Sequence, residues 1–171
     1  MNTQISPSKQ RLLIAAAEVT QIDGAGNLTL DKVAERAGVS KGGLLYHYPS
    51  KRALLEGMLT HLLQTIESRV AEAIETDLGS YVEAMCTQPA AERAMAQALL
   101  AAAAEDPALL SPARELVSRW LGRTAELSKW GPLLLLANEG LRFLDLLDLL
   151  PSAADHARLR GLLLEAGEQL A

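Results

Sequence analysis

The sequence predicts an all-α fold of about nine helices. Apolar residues recur three and four positions apart through most of the 171 residues, which is the spacing of an amphipathic helix. The helix start signals Thr29 and Ser40 and the stop signal Gly38 stand between such segments. Joints that contain Gly or Pro separate the longer segments. Together these observations favour helices connected by short turns.

The first predicted helix runs from Ser8 to about Ile22. Its apolar face carries Leu12, Leu13, Ala16 and Val19. The stretch 24–27, which contains two glycines, then predicts a turn. The helix therefore ends just before the most informative part of the chain.

Residues 29–48 predict two short helices around a tight turn, which is the pattern of a helix-turn-helix. Thr29 can cap the first helix, whose inward face carries Val33, Ala34 and Ala37. Gly38 can adopt the left-handed conformation that ends this helix. Ser40 is a good N-cap for a second helix from Lys41 to about His47.

The second helix of this motif carries the candidate DNA contacts. Lys41 stands at its start, where a lysine can donate to guanine O6 and N7 in the major groove. Gly42 and Gly43 each cost about 1 kcal/mol in helix propensity relative to alanine. Two interpretations of these glycines stay open, namely close approach of the backbone to DNA and local flexibility. Donors for phosphates, which set affinity more than sequence preference, follow at Tyr46, His47 and Lys51.

The same residues resemble the TetR family of bacterial transcriptional regulators. The resemblance covers about residues 8–60, and its motif positions fall in register without a gap at Thr29, Val33-Ala34, Ala37-Gly38-Val39-Ser40, Gly42, Tyr48 and Pro49-Ser50-Lys51. The chain departs from the family at Leu45, where the family commonly has Tyr. One contact to DNA is therefore missing or moved to Tyr46.

The resemblance implies DNA contacts and partners. In the family, residues at the positions of Thr29, Tyr46, His47 and Lys51 often touch the DNA backbone, whereas Tyr48 is expected in the core. The expected partners are a near-palindromic double-stranded DNA operator, a second copy of the chain and a small-molecule effector. We expect the chain to repress transcription.

Charge and composition narrow the class of protein. The first 57 residues hold seven basic and five acidic side chains, and the remainder holds nine basic and sixteen acidic ones. The acidic total argues against a protein that coats nucleic acid, but the positive end of the chain coincides with the helix-turn-helix. The single Cys86 and the lack of paired Cys/His spacing predict no disulfide, no metal and no cofactor, and they favour the cytoplasm. A redox role for Cys86 stays open.

No membrane partner is expected from the sequence. No run reaches the roughly 18 uninterrupted apolar residues of a membrane span. The apolar stretch after Arg11 superficially resembles a signal peptide, but Glu18 interrupts it and no cleavage-like site follows.

Further helices are predicted after the motif. They span 50–76, 81–87, 89–104, a segment opened by Pro107 and Pro112 that runs to about 128, 132–150, and a last segment after Ser152. The helix at 132–150 is apolar almost all round, apart from a narrow stripe of Glu139, Arg142, Asp145 and Asp148.

A helix with two apolar sides needs two partners, which predicts a dimer interface. One side can face the core of its own domain and the other an equivalent helix of a second subunit, so that the last two helices of each subunit form a four-helix interface. The candidate interface residues are Leu133, Leu136, Gly140, Leu141, Leu144, Leu159, Leu162, Leu163 and Ala166. The alternative, that both helices line the core of a monomer, stays open.

The resemblance also implies an effector pocket in the second domain. The candidate lining residues are Leu62, Ile66, Tyr81, Met85, Met95, Leu99, Trp120 and Phe143, and the candidate polar anchors are Arg93, Arg119 and Glu139. Each of these residues also suits an ordinary core. A set so short of aromatic residues favours an aliphatic or compact ligand.

No catalytic residues are predicted, because the chain has no phosphate-binding glycine loop, nucleophile elbow or paired His-Glu motif. The sequence favours a TetR-type DNA-binding domain at 6–54, with its helix-turn-helix at about 29–48, and a helical effector-binding and dimerisation domain at 55–171. The expected function is a homodimeric repressor that an effector releases from its operator. The alternative is a dimeric helical interaction protein that keeps the reader fold without binding an operator, and a small enzyme is the third candidate.

Overall fold

The computed structural model describes residues 6–86 and 89–170, which form nine α-helices. They are α1 (Pro7–Asp23), α2 (Leu30–Ala37), α3 (Lys41–His47), α4 (Lys51–Thr76), α5 (Leu78–Cys86), α6 (Ala90–Glu105), α7 (Ser111–Leu127), α8 (Gly131–Leu146) and α9 (Ala153–Gln169). Single 3-10 turns at Ala25–Asn27 and Pro107–Leu110 precede α2 and α7. These described residues contain no β-strand, so the predicted all-α fold is confirmed.

Local capping fixes the start of α5. The Asp77 carboxylate accepts from the Ser80 N–H at 2.7 Å, so the helix begins at Leu78 rather than at the predicted Tyr81. Hydrogen bonds from the Ser80 backbone and hydroxyl lower the pKa of Asp77, because they stabilise its charged form. The predicted extension of this helix to Thr87 lies outside the described residues.

The predicted helix at 132–150 is wrong at its C-terminal end. α8 ends at Leu146, and Asp148 adopts a left-handed conformation with a φ of 53°. The Leu149 N–H donates to the Leu144 carbonyl at 2.9 Å and closes the last turn. A short polar side chain such as Asp tolerates the left-handed region, so the chain turns here and Asp148 does not continue the predicted polar stripe.

The helices fall into two compact units. The first unit comprises the described residues up to Leu62 together with Pro89–Pro112, and the second comprises the described residues of 63–86 and 113–170. α4 contributes to both units, because the division lies within it. The predicted domain boundary between residues 54 and 55 also falls inside α4 and stays a prediction.

In the first unit, α1 packs against α2 and α6, and α2 packs against α3. The core side chains that are almost fully buried include Leu12, Leu13, Ala16, Val33, Leu44, Leu54 and Met58. Arg11 of α1 donates to the Ala37 carbonyl at 2.8 Å, at the C-terminal end of α2, where a positive charge is favourable. This contact ties the first helix to the end of the second.

In the second unit, α9 packs against α5 and α8, and glycines allow close contacts. A Cβ atom at Gly167 would lie 3.0 Å from the Gly79 Cα, so α9 and α5 meet through their backbones. A Cβ atom at Gly131 would lie only 1.9 Å from the Thr124 carbonyl oxygen, so the start of α8 has no room for a larger residue. The core of the unit includes Val70, Leu78, Tyr81, Val82, Met85, Leu116 and Leu135.

Candidate DNA-binding interface

Capping groups at α2 and α3 define the geometry of the helix-turn-helix. The Thr29 hydroxyl accepts from the Lys32 N–H at 3.3 Å, and the Ser40 hydroxyl accepts from the Gly43 N–H at 3.1 Å. Gly38 is left-handed, with a φ of 65°, and its N–H donates to carbonyls in the last turn of α2. Each helix therefore begins on a side-chain cap and the turn is made by glycine, as predicted from the sequence.

α3 has one buried face and one exposed face. Leu44 on the buried face is fully inaccessible. Of the predicted DNA contacts, His47 is half-buried, and the exposed ones are Thr29, Lys41, Gly42, Gly43, Tyr46 and Lys51. Tyr46 is 85% exposed, and its ring meets the His47 ring edge-on at 5.0 Å between centroids. The predicted contacts are accessible, and their contact with DNA stays a prediction.

Tyr48, the residue after α3, belongs to the core as expected. Its side chain is 6% exposed, and burial raises the pKa of its hydroxyl. Gly57 of α4 provides the space for the ring, because a Cβ atom there would lie 2.5 Å from the Tyr48 Cε1. The ring thereby anchors the end of α3 against the first turns of α4.

The basic residues of α2 and α3 form ion pairs on the surface, which the sequence analysis missed. Lys41 Nζ lies 2.8 Å from an Asp31 carboxylate oxygen. Two further pairs, with nitrogen–oxygen distances of 2.8 and 2.7 Å, are Lys32–Asp23 and Arg36–Glu18. Exposed pairs of this kind contribute about 0–1 kcal/mol, so phosphates or bases can replace the carboxylates. Lys51 has no ion pair among the described residues.

Asp31→Asn is expected to raise affinity for DNA severalfold at low salt. The substitution frees Lys41 from its carboxylate and removes a negative charge that would face phosphates. Fluorescence anisotropy with a labelled duplex measures the change. Glu35→Gln is the matched control, because Glu35 is also exposed on α2 and has no ion pair among the described residues. Equal gains for both variants would mean that only net charge changed, and the role given to the Lys41 pair would be wrong.

The predicted dimer residues in the second unit differ in exposure. Leu133, Leu136 and Leu162 are between 53% and 59% exposed, and Gly140 has open space beside it. Leu144 is 38% exposed, and the half-buried members are Leu159, Leu163 and Ala166. Leu141 is 6% exposed because it packs inside its own unit, so it offers little surface to a second copy.

The predicted effector-pocket residues divide between the two units. Leu62, Met95 and Leu99 are buried in the first unit, whereas the members in the second unit are Ile66, Tyr81, Met85, Trp120 and Phe143. Phe143 is 50% exposed and so is not a core residue. Of the predicted polar anchors, Arg119 pairs with Glu67 at 2.9 Å, Glu139 pairs with Arg142 at 3.0 Å, and Arg93 is also engaged within the protein.

Residues 6–86 and 89–170 contain neither a cluster of metal ligands nor a helix suited to span a membrane. No group of three or more His, Cys, Asp or Glu side chains in these ranges could hold a metal ion. No helix in the same ranges is both long and apolar enough to cross a bilayer.

Models of two protein domains match the chain. Residues 12–58 match the model described as bacterial regulatory proteins of the tetR family, and residues 78–168 match the model described as the tetracyclin repressor-like C-terminal domain. Together the two models span both the helix-turn-helix and most of the C-terminal helices.

Curated relatives match over less than half of the chain. The nucleoid occlusion factor SlmA of Aliivibrio fischeri is 34% identical over 79 residues, which are 45% of this chain and 40% of that protein. The HTH-type transcriptional regulator RutR of Escherichia coli is 41% identical over 59 residues, which are 34% of this chain and 28% of that protein. The matched segments thus span less than half the length of these relatives.

Solved structures match over almost the whole chain and show the same fold. A TetR-family member from Streptomyces coelicolor A3 has a TM-score of 0.73 at 24% identity and covers 92% of this chain and 96% of its own. The multidrug binding protein EbrR, solved with imidazole, has a TM-score of 0.68 at 22% identity. The match covers 93% of this chain and 94% of the EbrR chain. The two domain matches, the first of which contains the capped helix-turn-helix, place this chain in the TetR family of DNA-binding transcriptional regulators.

Proposed function

We propose that the chain is a homodimeric transcriptional repressor in the cytoplasm that binds a near-palindromic operator and leaves it when a small-molecule effector binds. The observation that carries this proposal is the exposed face of α3, which presents Lys41, Gly42, Gly43 and Tyr46 while Leu44 holds the opposite face in the core. Membership of the TetR family supports the same function.

Gly42 of α3 favours close approach to DNA over a role in the protein's own packing, whereas a Cβ atom at Gly43 would lie 3.3 Å from the Ser40 hydroxyl oxygen. A Cβ atom at Gly42 would meet nothing closer than the Ser40 hydroxyl at 4.0 Å. The fold therefore does not require glycine there, although glycine weakens the helix by about 1 kcal/mol. A backbone without a side chain at this position lets α3 lie deeper in the major groove. Lys41 then leaves its ion pair with Asp31 and donates to a guanine.

Phosphate contacts would hold the helix in this position. Lys51 is exposed and unpaired among the described residues, and it stands at the start of α4, directly after the turn that follows α3. Thr29, Tyr46 and His47 add donors on either side of the motif. Such contacts fix the orientation of the protein on the duplex but carry little sequence information.

The proposed dimer rests on the apolar surface of α8. Exposed Leu133, Leu136, Gly140, Leu144 and Leu147 recur three or four positions apart, which places them on one face of the helix. A contiguous apolar face of this kind usually marks an interface. Two copies of α8 and α9 would bury it in a four-helix arrangement with twofold symmetry.

An effector would act through its preference for one conformation. α4 starts beside α3 in the first unit and continues into the second. In one conformation of the dimer, the spacing of the two DNA-binding domains does not match the operator. A ligand that binds better to this conformation lowers the affinity for DNA. Linkage then requires operator DNA to weaken ligand binding by the same factor.

A second candidate function is a dimeric interaction protein that has kept the reader fold without operator binding. Leu45 favours it, because the family commonly has Tyr at this position, and Leu45 is half-buried and carries no hydrogen-bonding group. Without a contact from Leu45, the exposed side chains of α3 that can donate to DNA are Lys41 and Tyr46.

Selection from a pool of random duplexes separates the two functions. The proposal predicts enrichment of a near-palindromic site whose half-sites lie about one helical turn apart, with binding that weakens steeply as salt rises. A pool that remains random after repeated rounds would refute operator binding and favour the interaction protein. The Lys41→Ala variant is taken through the same rounds as the control. It shows how much enrichment comes from contacts to the DNA backbone alone.

A further inference from the structure

A small cavity lies inside the second unit between α5, α8 and α9. Its volume is about 90 Å³, and its lining residues are Cys86, Asn138, Leu141, Arg142, Asp145 and His156. None of these belongs to the predicted effector-pocket set. A volume of this size corresponds to about three water molecules at about 30 Å³ each, so it fits only a compact ligand.

Two lining residues bring buried donors that have no partner. Asn138 is fully buried; its Oδ1 accepts from the Cys86 thiol at 3.3 Å, but its Nδ2 has no hydrogen-bond partner among the described residues. Arg142 Nη1 donates to Glu139 Oε1 at 3.0 Å, whereas the buried Arg142 Nε donates to no described group. Buried donors without acceptors are costly and rare in folded proteins. An oxygen-bearing ligand would satisfy both.

Two more buried groups without partners lie on α5 and α9, the helices that enclose the cavity with α8. Tyr81 is fully buried with no partner for its hydroxyl, and Arg160 Nε is buried and unmatched among the described residues. Burial raises the pKa of the Tyr81 hydroxyl, and the charges of Glu139 and Arg142 act on it in opposite directions. Burial raises the pKa of the Cys86 thiol, and the Arg160 side chain opposes that rise. On α5, α8 and α9, the buried N–H donors without partners among the described residues therefore come from Asn138, Arg142 and Arg160.

A wider depression gives access to the cavity. It has a volume of about 320 Å³, includes Asp148, Leu150 and Ser152 after the end of α8, and shares Asp145 and His156 with the cavity. Asp145 and His156 therefore stand where the two spaces meet. A carboxylate at this mouth repels a second carboxylate but accepts from a hydroxyl or an ammonium group.

We propose that this cavity binds a small carboxylate that also carries a hydroxyl or amino group. The ligand carboxylate accepts from Asn138 Nδ2 and Arg142 Nε, and its hydroxyl or ammonium group faces Asp145. This proposal rests on the proposed function, because the ligand of the cavity would be the effector of the repressor. α8 links the two, because Asn138 and Arg142 lie on its buried side and Leu136 and Gly140 on its exposed apolar side.

Calorimetric titration of the full chain without DNA tests the site, with L-lactate, L-alanine, propionate and the neutral lactamide as probes. We expect saturable binding of lactate or alanine, at least tenfold weaker binding of propionate, and no binding of lactamide. The melting temperature should rise with the bound ligands. No saturable binding of either lactate or alanine to the wild-type chain would overturn the site, and so would lactamide binding as well as lactate.

Variants assign the binding to the cavity. Arg142→Lys keeps the charge but loses the Nε donor, and Asn138→Leu removes the amide; each should weaken binding at least tenfold. Arg119→Met is the matched control, because Arg119 is an exposed cation of the same unit that pairs with Glu67. Unchanged affinity in a folded Arg142→Lys chain would overturn the assignment, and if both variants misfold, the wild-type comparison of lactate with lactamide still decides. Ligand binding is measured without DNA, so the two proposals can fail separately. If the chain binds lactate but enriches no duplex, the repressor function is refuted and the ligand site stands.

Discussion

Leu136→Glu is expected to convert the protein from a dimer into a folded monomer. Leu136 is 59% exposed in the single chain and lies within the apolar face of α8, so a glutamate there leaves the core of its own unit intact. In the proposed dimer the carboxylate would be buried against a second apolar helix without a partner, which costs several kcal/mol. Light scattering after gel filtration at micromolar concentration measures the mass.

Two other variants control this result. Ala125→Glu adds the same charge to an exposed position of α7 and should remain dimeric. Leu141→Glu places a charge at a residue that is 6% exposed, so it should lower the melting temperature or give insoluble protein rather than a folded monomer. A wild-type chain that is monomeric even at high concentration would contradict the interface on α8 and α9.

Lys41→Ala is expected to lower affinity for the selected operator by about tenfold to one-hundredfold, while affinity for random duplex falls much less. The reason is that Lys41 stands at the exposed start of α3, from which a side chain reaches base edges. Truncation removes discrimination against wrong bases and leaves the phosphate contacts in place. Anisotropy titrations against both duplexes measure the two affinities.

Lys51→Ala is the matched comparison, because it also removes one exposed lysine from the first unit. It should weaken binding to operator and random duplex by the same factor and reduce the salt slope by about one. Equal losses on both duplexes for Lys41→Ala as well would show that Lys41 contacts phosphate only. The division of roles between the two lysines would then be wrong.

Local signals explain why most helix ends were predictable. Thr29, Ser40 and Gly38 act through neighbours at most four residues away, and the structure has each in its predicted capping or turning role. The error at the end of α8 has a local cause as well. No glycine marks the end of this helix in the sequence, yet Asp148 adopts the left-handed conformation that stops it.

Contacts between distant residues were not predictable from spacing. Arg11 reaches the end of α2 across 26 residues, and Cys86 meets Asn138 across 52. An apolar helix such as α8 also gives no sign of which side is buried, so Leu141 was grouped with the exposed Leu136. For the same reason Phe143 was assigned to a pocket although half of it is exposed.

The ratio of affinities for the selected operator and a scrambled duplex of the same length and composition tests the central claim most directly. The wild-type chain should bind the operator at least about a thousandfold more tightly at physiological salt, as sequence-specific regulators do. It should also bind as two copies per duplex. Equal affinity for the two duplexes would contradict the account, because the exposed face of α3 would then carry no sequence recognition.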